Sequence, residues 1–257
     1  MANLTANKIT STEVFDTTGS VQFSSGSYLD LASSTDFAWG TGDFTWEAWV
    51  CSTASDHTTG NHYIFDLGAG NVAAMSFYQN KFNYYNSTIG LSGQLGTFSV
   101  NQWVHIAVSR RNLISYIFIN GVLQGSFSDT YDYGSSARTA RVGDYASGAG
   151  GYAWNGHISN LRVLKGTALY TSNFTPPFRE LDIIPNTVLL CAQSKTLTNL
   201  ERTGKTITVN GNAVASELTP GLLTNTVRSG GSSAITGSVA FDGSSSTYLS
   251  EIGRAHV

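Results

Sequence analysis

Apolar and polar residues alternate with period two through most of this chain. The pattern is clearest over residues 103–124, WVHIAVSRRNLISYIFINGVLQ. There Val104, Ile106 and Val108 fall on one face of a strand, and Trp103, His105, Ala107 and Ser109 on the other. Arg110-Arg111-Asn112 interrupts the alternation as a polar turn. A second strand sets Ile114, Tyr116 and Phe118 against Ser115, Ile117 and Ile119. It runs into Asn120-Gly121, a dipeptide suited to a type I′ turn because both residues tolerate positive φ. Val122 and Leu123 then open a third strand. Three antiparallel strands joined by tight turns need a second layer over their apolar face.

The rest of the chain supplies the strands for that layer. Residues 18–31 read as two short strands around Ser24-Ser25-Gly26, and 44–51 (FTWEAWVC) as a strand with apolar bulk on both faces, hence central in its sheet. Segments 63–67, 73–78 and 82–85 are spaced like a meander. Residues 128–153 read as loop around a short strand at 139–143. Residues 157–164 (HISNLRVL) alternate Ile158, Asn160 and Arg162 against Ser159, Leu161 and Val163. A single helical turn at 167–170 and a stop at Pro176-Pro177 follow, then strands at 188–191 and 206–209, the latter ending at Asn210-Gly211. No 3.6-residue period is sustained. The prediction is an all-β, two-sheet antiparallel sandwich of jelly-roll type, with Trp46, Trp49, Trp103 and Trp154 in its core.

Composition narrows the function classes. Only 12% of the 257 residues are charged and the net charge is −3, with no Lys/Arg cluster beyond Arg110-Arg111, which argues against nucleic-acid binding. No apolar run is long enough to span a bilayer, and MANLTANKIT lacks the apolar stretch of an export signal. Cys51 and Cys191 each sit in an apolar run and read as buried free thiols.

The chain also repeats itself. Thr18-Gly19-Ser20-Val21-x-Phe23, with Tyr28-Leu29 after it, recurs as Thr236-Gly237-Ser238-Val239-x-Phe241, with Tyr248-Leu249 after it. The expected organisation is a lead-in at 1–13, one complete unit at 14–218, and a linker with the truncated start of a second unit at 219–250. The tail EIGRAHV, 251–257, written back into codons resembles the start of a short-read sequencing adapter and is set aside.

The ordered pieces FTWEAWV (44–50), WVHIA (103–107), FING (118–121) and GHISNLRV (156–163) resemble laminin-G-like domains of the concanavalin A-like lectin/glucanase superfamily. Residues 158–178, ISNLRVLKGTALYTSNFTPPF, are similar to a subtype that recurs, often in tandem, in tail-fibre and structural proteins of marine bacteriophages. VLLCAQS (188–194) and ITVNGN (207–212) fit the end of the same unit. The resemblance implies a virion location, cell-surface glycans and other tail proteins as partners, and a homotrimer. It leaves open a purely structural spacer and a bacterial surface adhesin, and the fold does not choose between them.

Candidate chemistry is sparse. Glycoside hydrolysis needs two carboxylates roughly 5–10 Å apart. Yet Glu47 has no acidic neighbour along its strand, and the string Glu-x-Asp-x-x-Glu found in the superfamily's hydrolases is absent. Glu47 therefore reads as a sheet residue with a local partner, and the protein as a non-enzyme. A Cys51–His105 pair and the polar loop holding Asp56-His57 and Asn61-His62 lack the spacing of a nucleophile or a zinc site. No cofactor is assigned; the resemblance allows calcium, with Asp132 and Asp144 as the carboxylates that would hold it. Sugar recognition fits better. The loops SDTYDYGSS and GDYASGAGGY gather Asp129, Tyr131, Asp132, Tyr133, Asp144, Tyr145 and Tyr152, rings that stack on sugar CH faces beside carboxylates that orient hydroxyls.

Overall fold

A computed structural model describes residues 18–53, 61–68, 72–87, 89–92, 95–146 and 152–220. The lead-in, the strands of the second repeat, the adapter-like tail and the pair Asp56-His57 lie outside these residues.

Alternation produces fifteen strands among the described residues: β1 (Ser20–Phe23), β2 (Tyr28–Ser34), β3 (Phe44–Ser52), β4 (His62–Asp66), β5 (Ala73–Tyr78), β6 (Lys81–Asn86), β7 (Gly90–Leu91), β8 (Trp103–Arg111), β9 (Ile114–Ile119), β10 (Val122–Ser128), β11 (Arg138–Val142), β12 (Gly156–Lys165), β13 (Thr187–Cys191), β14 (Ile207–Asn210) and β15 (Val214–Ser216). They form two antiparallel sheets. One runs β10-β9-β8-β3-β12-β1-β15, with β13 beside the second half of β12; the other runs β14-β2-β11-β4-β5-β6-β7. This is the expected sandwich. Its filling is the inward set of each strand: Phe44, Trp46, Ala48 and Val50 from β3, Val104, Ile106 and Val108 from β8, and Met75, Phe77, Phe82 and Tyr84 from the facing sheet. Both cysteines are buried and free.

Turn chemistry fixes the registers. Asn120 (φ 48) and Gly121 (φ 74) make the I′ turn the sequence predicts. Gly121 is needed twice over, since a Cβ there would overlap the carbonyl of Phe174. The preceding turn differs from expectation. It sits at Asn112-Leu113, both at positive φ, so β8 continues through Arg110, whose side chain is fully buried.

Three further expectations are corrected. The alternation in β12 breaks at Asn160 (φ 54), where the pairing with β3 shifts between Ser159 and Arg162. Ile158, Leu161 and Val163 thereby all reach the core. Asn160 then caps the bulge, its Oδ1 accepting from the backbone N of Leu181 at 2.8 Å and from Gln193 Nε2 at 2.8 Å.

The helical turn at 167–170 does not form. Its amides are taken by the sheet instead: Leu169 N donates to Thr45 Oγ1 at 2.9 Å and Tyr170 N to Ser109 Oγ at 3.3 Å.

Trp46 and Trp154 join the core, but Trp49 and Trp103 face outward. Trp49 is covered by residues 166–180, a strap over the outer face of the larger sheet, and donates to the carbonyl of Pro177 at 3.1 Å.

Candidate functional site

The seven residues predicted to meet a sugar separate into two groups, because the strand β11 lies between them. Asp129 and Tyr133 are fully buried. Asp129 accepts from Ser115 Oγ (2.6 Å), Tyr133 Oη (3.0 Å) and Asn86 Nδ2 (3.0 Å), and its backbone carbonyl accepts from Arg110 Nη2 (2.8 Å). Tyr133 is bonded through its hydroxyl to Tyr84, beneath Phe44 and Trp39. Asp129 is the counter-ion of Arg110 inside the sandwich, Tyr133 supports it with a hydrogen bond and a ring face under the guanidinium, and both side chains are fully buried. Tyr131 packs edge-on against Tyr133, and Asp132 is exposed with its Oδ1 accepting from the Gly134 amide at 2.8 Å.

Asp144, Tyr145 and Tyr152 lie past the other end of β11. Asp132 and Asp144 are thus held apart by the length of a strand and cannot share a calcium ion. Among the described residues no group of three His, Cys, Asp or Glu side chains converges as a metal site.

That second group is completed by a residue the sequence reading left in the meander. Tyr63 lies on the outer face of β4, and its ring is 5.0 Å from Tyr145 and 6.1 Å from Tyr152, which are themselves 5.8 Å apart. Local pairing builds the cluster: the Tyr63 amide donates to the Tyr152 carbonyl at 3.0 Å, and Trp154 N to Gly143 O at 2.7 Å, drawing 152–154 alongside β4 and the end of β11. Tyr152 is 42% exposed, while Tyr63 and Tyr145 are half-buried. Burial raises the Tyr63 phenol well above its ordinary value, so all its chemistry is that of a neutral hydroxyl.

Beneath the rings lie two enclosed carboxylates, Asp66 at the end of β4 and Asp144. Asp66 Oδ2 accepts from Ala146 N at 2.7 Å, and its Oδ1 is buried without a hydrogen-bond donor. Burial pushes the Asp66 carboxyl up to about 7, with the charge of Asp144 adding to the rise. Beside the rings runs a cleft of about 310 Å³ across β14, β2 and β11, lined among others by Asp30, Thr139, Arg141, Ala146 and Thr208. Arg141 donates to Asp30 through Nε (2.8 Å) and Nη2 (3.3 Å) and to the Tyr145 carbonyl through Nη1 (3.0 Å), with its guanidinium 3.8 Å over the Tyr28 ring. Aromatic faces, fixed polar groups and a shallow cleft converge at one rim of the sandwich. Such a combination has the chemistry that a ligand-binding surface needs.

Glu47, the carboxylate in the middle of β3, is sealed. It is fully buried beneath the strap, with Arg162 Nη2 at 2.6 Å, His105 Nε2 at 3.3 Å and the Tyr170 hydroxyl at 2.9 Å. Burial alone would raise its pKa, but His105 and Arg162 outweigh that and hold it below the ordinary carboxylate value. It has the local partners expected of it and no path to a substrate.

Residues 23–169 match the family described as the concanavalin A-like lectin/glucanases superfamily. No curated protein matches the sequence. Among solved structures, a protein from Bacteroides ovatus ATCC 8483, provisionally described as carbohydrate binding, is 15% identical, with TM-score 0.60 over 78% of this chain and 60% of its own. The chain therefore spans about 60% of that protein's length. A native heptameric SAP-like pentraxin from Limulus polyphemus is 13% identical, with TM-score 0.48 over 76% of this chain and 95% of its own. Trypanosoma rangeli sialidase is 13% identical, with TM-score 0.41 over 51% of this chain and 21% of its own. Of these three, the Bacteroides protein superposes well enough to speak to the fold, and it speaks to the fold alone. With the family match spanning more than half of the chain and both sheets of the sandwich in place, the protein belongs to the concanavalin A-like lectin/glucanases superfamily.

Proposed function

We propose that this protein is a non-catalytic adhesion module of a virion, of the phage tail-fibre type, that recognises cell-surface glycans. The observation that carries the reading is the tyrosine rim, Tyr63, Tyr145 and Tyr152 over Asp66 and Asp144, beside the Asp30–Arg141 cleft. Rings of this kind stack on the CH faces of sugars, and fixed carboxylates orient the hydroxyls. The burial of Glu47 under the strap supports the absence of catalysis. The virion assignment, and with it a trimeric fibre, rests on the resemblance of residues 158–178 and on the repeated opening strands.

A second feature favours display over spacing. β15 pairs with β1 so that Ser216 lies opposite Ser20, and Ser20 Oγ donates to the Leu218 carbonyl at 2.6 Å. The chain enters and leaves the sandwich side by side. Such closeness suits a unit that is displayed more than one that lengthens a fibre.

The test is a glycan microarray probed with the wild type and with Tyr145→Ala plus Tyr152→Ala. Loss of an aromatic anchor at a binding hot spot costs about 2 kcal/mol, roughly thirtyfold in Kd. We expect the double variant to lose its glycan signal while its melting temperature is held. A folded wild type that binds no glycan, in array and in calorimetry, overturns the adhesion reading in favour of a structural spacer.

A further inference from the structure

The charges around the tyrosine rim define what kind of sugar it can hold. Three carboxylates surround it: Asp30 from β2, Asp66 from β4 and Asp144 after β11. Asp30 is 41% exposed and borders the cleft. Asp66 lies under Ala146, another lining residue, with one buried oxygen that no donor reaches.

Among the described residues lining the cleft, Arg141 is the one cation. Its guanidinium is engaged on two edges and one face: by both oxygens of Asp30, by the Tyr145 carbonyl, and by the Tyr28 ring. A bidentate Arg–carboxylate pair is the geometry that would otherwise recognise the carboxylate of an acidic sugar or a sulfate. Here the protein has used it internally. An anionic ligand would have to displace Asp30 while approaching the enclosed carboxylate of Asp144, and like charges so juxtaposed weaken binding strongly.

The remaining groups suit hydroxyls. Thr139 and Thr208 line the cleft beside Asp30, and the three tyrosines at the rim each carry a hydroxyl that can both donate and accept. The cleft volume of about 310 Å³ stands at the low end of small-molecule sites, enough for one or two sugar units.

From this we infer that the rim, on the adhesion reading above, takes an uncharged, hydroxyl-rich sugar unit and rejects its sialylated and sulfated counterparts. Asp30 and the cleft hydroxyls hold the vicinal hydroxyls, and the tyrosines cover a ring face.

Matched glycan pairs, the same oligosaccharide with and without a terminal sialic acid or sulfate, test this by surface plasmon resonance on the full chain. The unmodified member is expected to bind, and the acidic member to be weaker by about tenfold or more. Asp30→Asn, a half-exposed position, leaves Arg141 without its internal carboxylate and should narrow that gap to less than about threefold. Acidic members bound as well as or better than neutral ones, with binding lost in Tyr145→Ala, would overturn the inference while leaving the adhesion reading in place. An unchanged gap in folded Asp30→Asn would overturn it too, because the guanidinium would then not be what Asp30 withholds. Absence of binding to any glycan overturns both.

Discussion

Asp66 and Glu47 are both fully enclosed carboxylates, and their surroundings move them in opposite directions. Burial raises each. Around Glu47, His105 and Arg162 reverse that rise; Asp66 has Arg141 only at a distance and Asp144 nearby, and stays at about 7. The consequences for stability are opposite in sign. Between the unfolded value near 4 and about 7 the folded protein holds a proton on Asp66 that the unfolded chain has released, so stability falls as pH rises through this window. Glu47 contributes above its unfolded value and loses that contribution in acid. Asp66→Asn should therefore raise the melting temperature at pH 8, by up to a few kcal/mol of stability, and change little at pH 4. An equal shift at both pH values would show that Asp66 is not protonated in the folded state. At this scale the sequence was partly legible. Phe127, Asp129, Tyr131 and Tyr133 continue the period-two pattern of β10 and turn toward the core, a signal that the loop-like composition of 128–136 hid. Tyr63 could not be found this way. Its outward aim follows from a register shift between Tyr63 and Phe65, which no alternation reveals.

The strap at 166–180 contains most of the second half of the segment 158–178 that carries the subtype resemblance, and that segment has a mechanical meaning in this chain. Tyr170 and Phe174 stack at 3.6 Å with their planes 6° apart, and Phe118 and His105 meet Phe174 edge-on. Phe174 N donates to the Gly121 carbonyl at 2.9 Å, and Asn173 Oδ1 accepts from the Leu123 amide at 2.9 Å, tying the strap to the β9–β10 turn. Arg162, in β12 just before the strap, holds Glu47 from the other side. The motif is thus a clasp over the larger sheet, and its signature residues hold the clasp shut. Glu47→Ala leaves Arg162 in a nearly buried site without its carboxylate and removes the acceptor of the Tyr170 hydroxyl. Breaking a buried pair in this manner costs about 3–5 kcal/mol. Urea denaturation should show that loss, and hydrogen exchange should show faster exchange at Leu169 and Tyr170. Exchange unchanged at those amides would mean the strap is held without Glu47. The strands were legible because alternation and Asn-Gly turns are local. Residues 167–170 read as a helical turn in sequence because the hydrogen-bond partners of their amides, Thr45 and Ser109, are far away along the chain.

At the scale of the molecule, both sheets follow from length and patterning, while the pairing of the first strand with the last could not be read from either. That pairing has a consequence for a protein under tension. The β1–β15 ladder sets Ser20 opposite Ser216, Val21 opposite Ala215 and Gln22 opposite Val214, and the chain runs out of both strands on the Ser20 side. A pull on those ends loads the bonds one after another, like a zipper opened from its tab, and never shears them together. Each unit should therefore open at low force in optical-tweezer stretching and release its remaining length as slack, whereas a high, shear-like unfolding force would contradict this reading. If the proposed fibre-borne, glycan-binding role holds, such units would act as shock absorbers, yielding length before the grip on the glycan is lost.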